Sequence, residues 1–271
     1  MLGQVVSART GFSSLLAIGV LLALSSVALA DEVGSGDLSL PGPEESAPAD
    51  TRGWTAPLTP FQASLLTPVQ IFSPATLVRG MRFNLIYGEQ TSVWGIDVGT
   101  ANRTTSDMLG LQIGLLNWGR RFAGFQIGGL NLNDSNEPSL QTGMRANLLL
   151  GLQAKFSGLD LGAFNMTTDR MHGLQIGFVN ANLGSTRGLQ LGIGNATQED
   201  FAGFQLGIVN VVGGNGDSVQ VGFVNSSGEG ARLQLGLSNF ATSLQGVQIG
   251  LLNINAARAP VFFLPLVNVG W

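Results

Sequence analysis

From about residue 80 onward, apolar residues alternate with small or polar ones, and the alternating block is itself repeated. Residues 110–117 read Gly-Leu-Gln-Ile-Gly-Leu-Leu-Asn, and residues 173–180 and 246–253 are nearly identical to them. With the leading residue numbered zero, copies begin at Gly80, Gly95, Gly110, Gly124, Ser139, Gly158, Gly173, Gly188, Gly203, Ser218, Arg232, Gly246 and Val261. Positions one, three and five are mostly Leu, Ile, Val or Phe. Alternation with a period of two is a strand signal, because successive side chains of an extended chain point to opposite faces. Between copies lie short stretches of turn composition, such as 211–217 (Val-Val-Gly-Gly-Asn-Gly-Asp). The pattern predicts an all-β chain of about thirteen units of 14–15 residues, with almost no helix. The interval from 139 to 158 is the one irregular spacing.

Two columns are polar in a way that alternation alone does not require. Position two is Gln112, Gln126, Gln141, Gln175, Gln190, Gln205, Gln220, Gln234 and Gln248, with Arg82, Asp97 and Asp160 as variants. Position seven is Asn102, Asn117, Asn131, Asn165, Asn180, Asn195, Asn210, Asn225, Asn239, Asn253 and Asn268, and position four is mostly Gly. A parallel β-solenoid gives these identities a reason. Each copy is one coil, coils rise by about 4.8 Å, and like amides stacked in register hydrogen-bond along the column. The alternative is an antiparallel outer-membrane β-barrel, with Leu and Ile facing lipid and Gln and Gly facing the lumen; the terminal Trp271 suits it. Three features favour the solenoid. Antiparallel neighbours would not bring Gln beside Gln. The last copy, with Phe263 and Pro265 in place of Gln and Gly, reads as a cap, since Pro cannot donate to a ladder. The connections show no alternation of long loops and short turns. A solenoid is expected to bury its Leu and Ile columns, whereas a barrel would expose them.

Ahead of the repeats the composition changes. Arg9, the apolar run 15–24 and the Ala28-Leu29-Ala30 ending form the pattern of a secretory signal over 1–30, too short in its apolar part to span a bilayer. Residues 31–53 are acidic and rich in Pro, Gly and Ser, a linker without enough apolar surface to fold. Residues 54–79 read as a lead-in strand or cap, with two similar units at Pro60-Phe61-Gln62 and Pro68-Val69-Gln70, and 80–271 as the repeat domain. Gly88-Glu89-Gln90-Thr91 is a candidate hairpin turn.

Composition narrows the chemistry. Charged residues make up 11% of the chain and the net charge is −4, so there is no electrostatic footprint for nucleic acid. The absence of Cys removes disulfides, thiolate metal sites and a Cys nucleophile, and a single His cannot build a His-rich metal site. His172 lies near Asp169 and Arg170 in what reads as an exposed turn rather than a His–Asp dyad. Asp97 and Asp160 read as column variants lying on the order of 20 Å apart in a stacked chain, and the Gly-rich 211–217 as a long turn. The Asn-x-Ser/Thr matches at Asn102, Asn165, Asn195 and Asn225 follow from the repeat Asn meeting a Ser/Thr-rich turn. Trp54, Trp94 and Trp118 are candidates for partner contact or packing. No catalytic, cofactor-binding or metal-ligating residues are expected.

The repeat copies, the lead-in Thr-Pro-Val-Gln-Ile-Phe-Ser-Pro (67–74), the pair of stretches 80–89 and 93–99, and the closing 262–271 together resemble bacterial surface-repeat proteins of the kind described from Leptospira. The resemblance covers about residues 57–271. It implies an exported cell-surface protein with no catalytic residues to carry over. Lipid anchoring, found in some relatives, does not transfer to a chain without Cys. The expectation is an exported, non-catalytic repeat protein of the cell surface, outer membrane or periplasm. Its role is structural or adhesive, toward an unidentified surface or envelope partner. The alternative is an integral outer-membrane barrel acting as a pore.

Overall fold

The computed structural model describes residues 57–133, 140–258 and 263–271. The expected signal segment, the linker and Trp54 lie outside these. Residues Pro57–Trp271 form one compact unit. Its strands in chain order are β1 (Leu58–Leu66), β2 (Val69–Gln70), β3 (Leu77–Gln90), β4 (Val93–Asn133), β5 (Leu140–Asn182) and β6 (Ser185–Leu191). They continue as β7 (Gly194–Thr197), β8 (Phe201–Leu206), β9 (Val209–Val212), β10 (Asn215–Val221), β11 (Val224–Leu235), β12 (Ser238–Asn255) and β13 (Phe263–Val269). No helix occurs among the described residues.

The chain is a parallel β-solenoid of about 12 turns. Like residues pair between successive coils: Gly80 with Gly95, Gln190 with Gln205, Asn195 with Asn210, Gln220 with Gln234. Each coil bonds to the coils before and after it in sequence, and the stack stays open at both ends. An antiparallel closed barrel is thereby excluded. At a rise of about 4.8 Å, twelve coils make a stack of roughly 55–60 Å.

Each end is finished by a strand that turns back. Pro60 occupies the position-zero column and Gln62 pairs with Arg82, so β1 is a partial first coil; β2 then folds antiparallel onto it. At the other end β13 runs antiparallel to β12, placing Asn268 opposite Gln248 and Val267 opposite Ile249. The thirteenth copy is therefore a reversed cap strand, and Asn268 closes the Gln column instead of extending the Asn column. Reversal changes which residues face each other, and identity of the octapeptide does not reveal direction. The expected hairpin at 88–91 is likewise absent, since β3 and β4 pair in parallel.

One register differs from the sequence alignment. Gly124 pairs with Gly143 and Gln126 with Arg145, so the fifth coil begins at Gly143 and not at Ser139. Gln141 is buried two residues before that start, in the column that holds Val93, Met108 and Phe122 in earlier coils. The extra residues of the irregular spacing thus precede Gly143, where 134–139 lie outside the described residues.

Position zero needs glycine for two independent reasons. Its φ is positive, from +129° to +150°, in nine coils from Gly80 to Gly203, a region L side chains rarely adopt. A Cβ there would also meet the carbonyl oxygen of the glycine one coil below, at 1.9 Å for Gly188 over Gly173. Replacing Gly188 by Ala is expected to cost about 2 kcal/mol or more. Gly194→Ala, where a Cβ would meet nothing within 4 Å, should stay within about 0.5 kcal/mol of the parent. Urea unfolding midpoints of the two variants test the contrast.

Candidate functional site

The interior of the solenoid is built from side-chain amides. Every Asn of the position-seven column is buried, and from Asn102 to Asn239 the Nδ2 donates to the Oδ1 of the Asn in the next coil: Asn180 to Asn195, Asn195 to Asn210 and Asn210 to Asn225, each 2.9 Å. The series runs from Asn84 to Asn253 through Asn102, Asn117, Asn131, Asn147, Asn165 and the rest. In most coils the second Nδ2 hydrogen goes to the position-three carbonyl of the next coil, as from Asn195 to Leu206 O at 2.9 Å. Both donors and the acceptor of such an amide are then satisfied. The side chain lies across the backbone at position four. A Cβ on Gly192 would sit 2.9 Å from Asn180 Nδ2 and 3.2 Å from Asn195 Oδ1. The Gly-x-x-Asn spacing is therefore one device: the glycine vacates the space the amide ladder occupies.

The Gln column runs the other way. Gln248 donates to Gln234, Gln234 to Gln220, Gln220 to Gln205, Gln205 to Gln190 and Gln190 to Gln175, at 2.7–3.0 Å, and Asn268 of the cap donates to Gln248. Gln126 donates to Gln112, and Gln112 to Asp97. Asn amides thus point their donors toward the C-terminal end and Gln amides toward the N-terminal end, so the two lines of aligned dipoles oppose each other.

Two buried ion pairs interrupt this order. Arg82 binds Asp97 through Nε (2.7 Å) and Nη2 (2.6 Å), and Arg145 binds Asp160 through Nε (3.1 Å) and Nη2 (2.9 Å). All four side chains are buried. In both places the Arg coil exchanges the Gly and Asn columns. Asn84 pairs with Gly99 and Gly88 with Asn102; Asn147 pairs with Gly128 and Gly151 with Asn131. The shifted Asn then bridges to the Asp, Asn84 to Asp97 at 3.2 Å and Asn147 to Asp160 at 2.8 Å. This module was missed from the sequence, although its signal is present: 80–90 (GMRFNLIYGEQ) and 143–153 (GMRANLLLGLQ) are the same motif, each followed by a coil with Asp at position two. Asp97 and Asp160 are therefore each held by an Arg one coil earlier. At the break around Arg145, Gln126 Oε1 and Gln175 Nε2 are buried without a hydrogen-bond partner.

With amides inside, the apolar columns face outward, opposite to the expectation for a solenoid. Position five is the most exposed, at 69% for Leu115, 62% for Phe178 and 66% for Leu251. Position three adds Ile113, Ile127 and Ile249, and position one Phe125 and Leu189, all exposed. Positions one, three, five and six of the twelve coils carry no Asp, Glu, Lys or Arg. The outward charges occupy the rest of the circumference, among them Arg103, Asp107, Arg121, Lys155, Arg170 and Asp217. Several pair across coils: Arg121 with Asp107, Lys155 with Asp169, Arg232 with Asp217. Arg79 lies over Trp94 and Arg103 over Trp118, with ring-centroid distances of 5.4 and 4.5 Å. Beside Arg103, burial and then the hydrogen bond to Glu89 raise the Tyr87 phenol above its ordinary pKa.

A groove of about 750 Å³ runs along the charged arc, with Arg170, His172 and Arg187 toward one end and Asp200, Asp217 and Glu229 toward the other. His172 lies in a strand opposite Arg187, not in a turn. These side chains are solvent-exposed, and no group of three or more metal-ligating side chains occurs among the described residues. Val211 and Val212 of the Gly-rich stretch lie in β9, and Trp94 and Trp118 are partly exposed on opposite margins of the apolar band.

No family model matches the chain, and no curated protein or solved structure matches it either.

Breaking an amide column should be costly. Asn195→Leu leaves Asn210 Oδ1 without its donor and takes from Asn180 Nδ2 its side-chain acceptor, and is expected to cost about 3 kcal/mol or more by urea unfolding. Asp160→Gln strands a buried Arg145 and should cost about 3–5 kcal/mol. Adding Arg145→Gln should recover most of that loss, because two Gln side chains refill the column between Gln126 and Gln175; a double-mutant cycle measures the coupling.

Proposed function

We propose that the chain is an exported repeat protein of the bacterial cell envelope, non-catalytic, whose role is structural or adhesive. The observation that carries the reading is the outward apolar band. A soluble monomer rarely exposes a contiguous apolar patch larger than a few hundred Å², and larger ones mark interaction sites. This band continues over every coil of a stack roughly 55–60 Å long. The amide ladders supply a stiff support for it. The signal-like 1–30 and the resemblance to surface-repeat proteins support export and an envelope location. A pore through a closed barrel is not carried forward, because the coils stack in parallel and amides fill their interior.

Expression of the full chain with a C-terminal tag in a Gram-negative host tests export. The tagged protein should appear in the periplasmic, membrane or surface fractions, and N-terminal sequencing should begin at Asp31. Recovery from the cytosol with residues 1–30 intact would overturn the reading.

A further inference from the structure

Resting on the reading of the apolar band as an interaction surface, we infer that its occupant is a lipid surface, with the solenoid axis lying in the membrane plane. Four observations lead there.

The first is the shape of the band. In the four coils from Gly188 to Arg232 the chain bends at Gly192-Ile193, Gly207-Ile208, Gly222-Phe223 and Gly236-Leu237, which puts position five there at the apex of a corner. Positions one and three form one flank and position six begins the other. A flank about four residues wide and roughly 55–60 Å long offers about 750 Å². A second copy packed on that flank would bury about 1,500 Å² in total, enough for a stable dimer. It would still leave the apex and the other flank in water, although position five is the most exposed column of the band. Acyl chains conform around a convex ridge and cover both flanks at once.

The second is the state of the backbone. At the apex, amides bond to carbonyls one coil back: Ile193 to Phe178, Ile208 to Ile193, Phe223 to Ile208 and Leu237 to Phe223, at 2.8–3.0 Å. Immersing the ridge in hydrocarbon therefore strands none of these polar groups, the condition a bilayer imposes.

The third is orientation. The band is longer than the roughly 30 Å hydrocarbon core, and charged residues run beside it on the opposite arc. The solenoid cannot stand across a bilayer without burying those charges. Lying flat, it sinks its ridge by about 5–10 Å and keeps the charged arc in water, as amphipathic interfacial elements do.

The fourth is the margins. Trp94 immediately precedes position zero and Trp118 occupies position eight, on opposite edges of the band, each beneath an Arg. Trp rings with a polar neighbour favour the headgroup level.

The chain has no Cys, so single cysteines can be placed cleanly. Phe178→Cys and Phe223→Cys put a label on the ridge, and Asp200→Cys puts one on the charged arc. Each full-length variant is labelled with an environment-sensitive fluorophore and mixed with phosphatidylcholine vesicles, with and without brominated acyl chains. The ridge labels should shift to the blue and be quenched by bromine, at low and high salt alike, while the Asp200 label stays unchanged. These readouts are local, so the apolar run 15–24, common to all variants, does not confuse them. The double variant Phe178→Asp, Phe223→Asp should lose about tenfold or more of the ridge-dependent partitioning and keep its far-UV spectrum. Absence of a shift at the ridge, or equal shifts at Asp200, would overturn the inference. Ridge labels shielded without vesicles, in step with a concentration-dependent dimer, would also overturn it. That last result would leave the interaction-surface reading standing, whereas cytosolic recovery of the intact chain would remove that reading by itself.

Discussion

The asparagine amide ladder is the constraint on which the rest of the structure depends. A carboxamide carries two donors and one acceptor in a plane, and stacking at the strand spacing lets each one serve the next. The Asn Nδ2 reaches both the following Asn and a backbone carbonyl of the following coil, so side-chain and backbone ladders are tied together. Chains of aligned amides polarise one another. Such a column tolerates few other residues, since a neighbour without the same groups would leave buried polar atoms unmatched. The demand for glycine at position four follows from the volume of that amide.

The same constraint turns the molecule inside out relative to an ordinary solenoid. A coil of 14 or 15 residues encloses a narrow space. Once Gln and Asn amides occupy it, the alternating Leu, Ile and Phe have only the outside to face. Apolar burial is concentrated in one interior column, Val78, Val93, Met108 and Phe122 near the start and Phe156, Met171 and Phe201 further on, with a small cluster at Ala231, Ala241 and Leu244 and single buried residues at Ala154, Ala181, Val211 and Val212. Cohesion therefore rests on hydrogen bonds inside, while the exterior keeps apolar surface available for something else. Structure and proposed role meet there: the ladder that makes the stack rigid also displays the ridge.

The ion pairs show how strictly the interior is governed. A charge enters the Gln column only where its partner sits one coil away and an exchanged Asn bonds to the carboxylate as well. Buried pairs of this kind gain little net stability over neutral residues. What they add is register, because Arg82 and Arg145 each match a single Asp in the neighbouring coil. Their recurrence at equivalent coils makes two similar blocks of the solenoid, each opening on the same motif.

The strand period, the repeat length, the recurrence of Gln112 to Gln248 and Asn117 to Asn253, and the capping Pro265 were all legible in the sequence. Together they lead to parallel stacking, because only that arrangement sets like beside like. The period of two also fixed that Gln and Leu face opposite sides. It could not fix which side is inside: alternation is symmetric between the faces, and the choice depends on how tightly the coil closes. Register at Gly143, the reversal of the last strand and the Arg–Asp pairs were likewise decided by tertiary structure. Each depends on what lies one coil away, a distance of about 4.8 Å in space but some 15 residues along the chain.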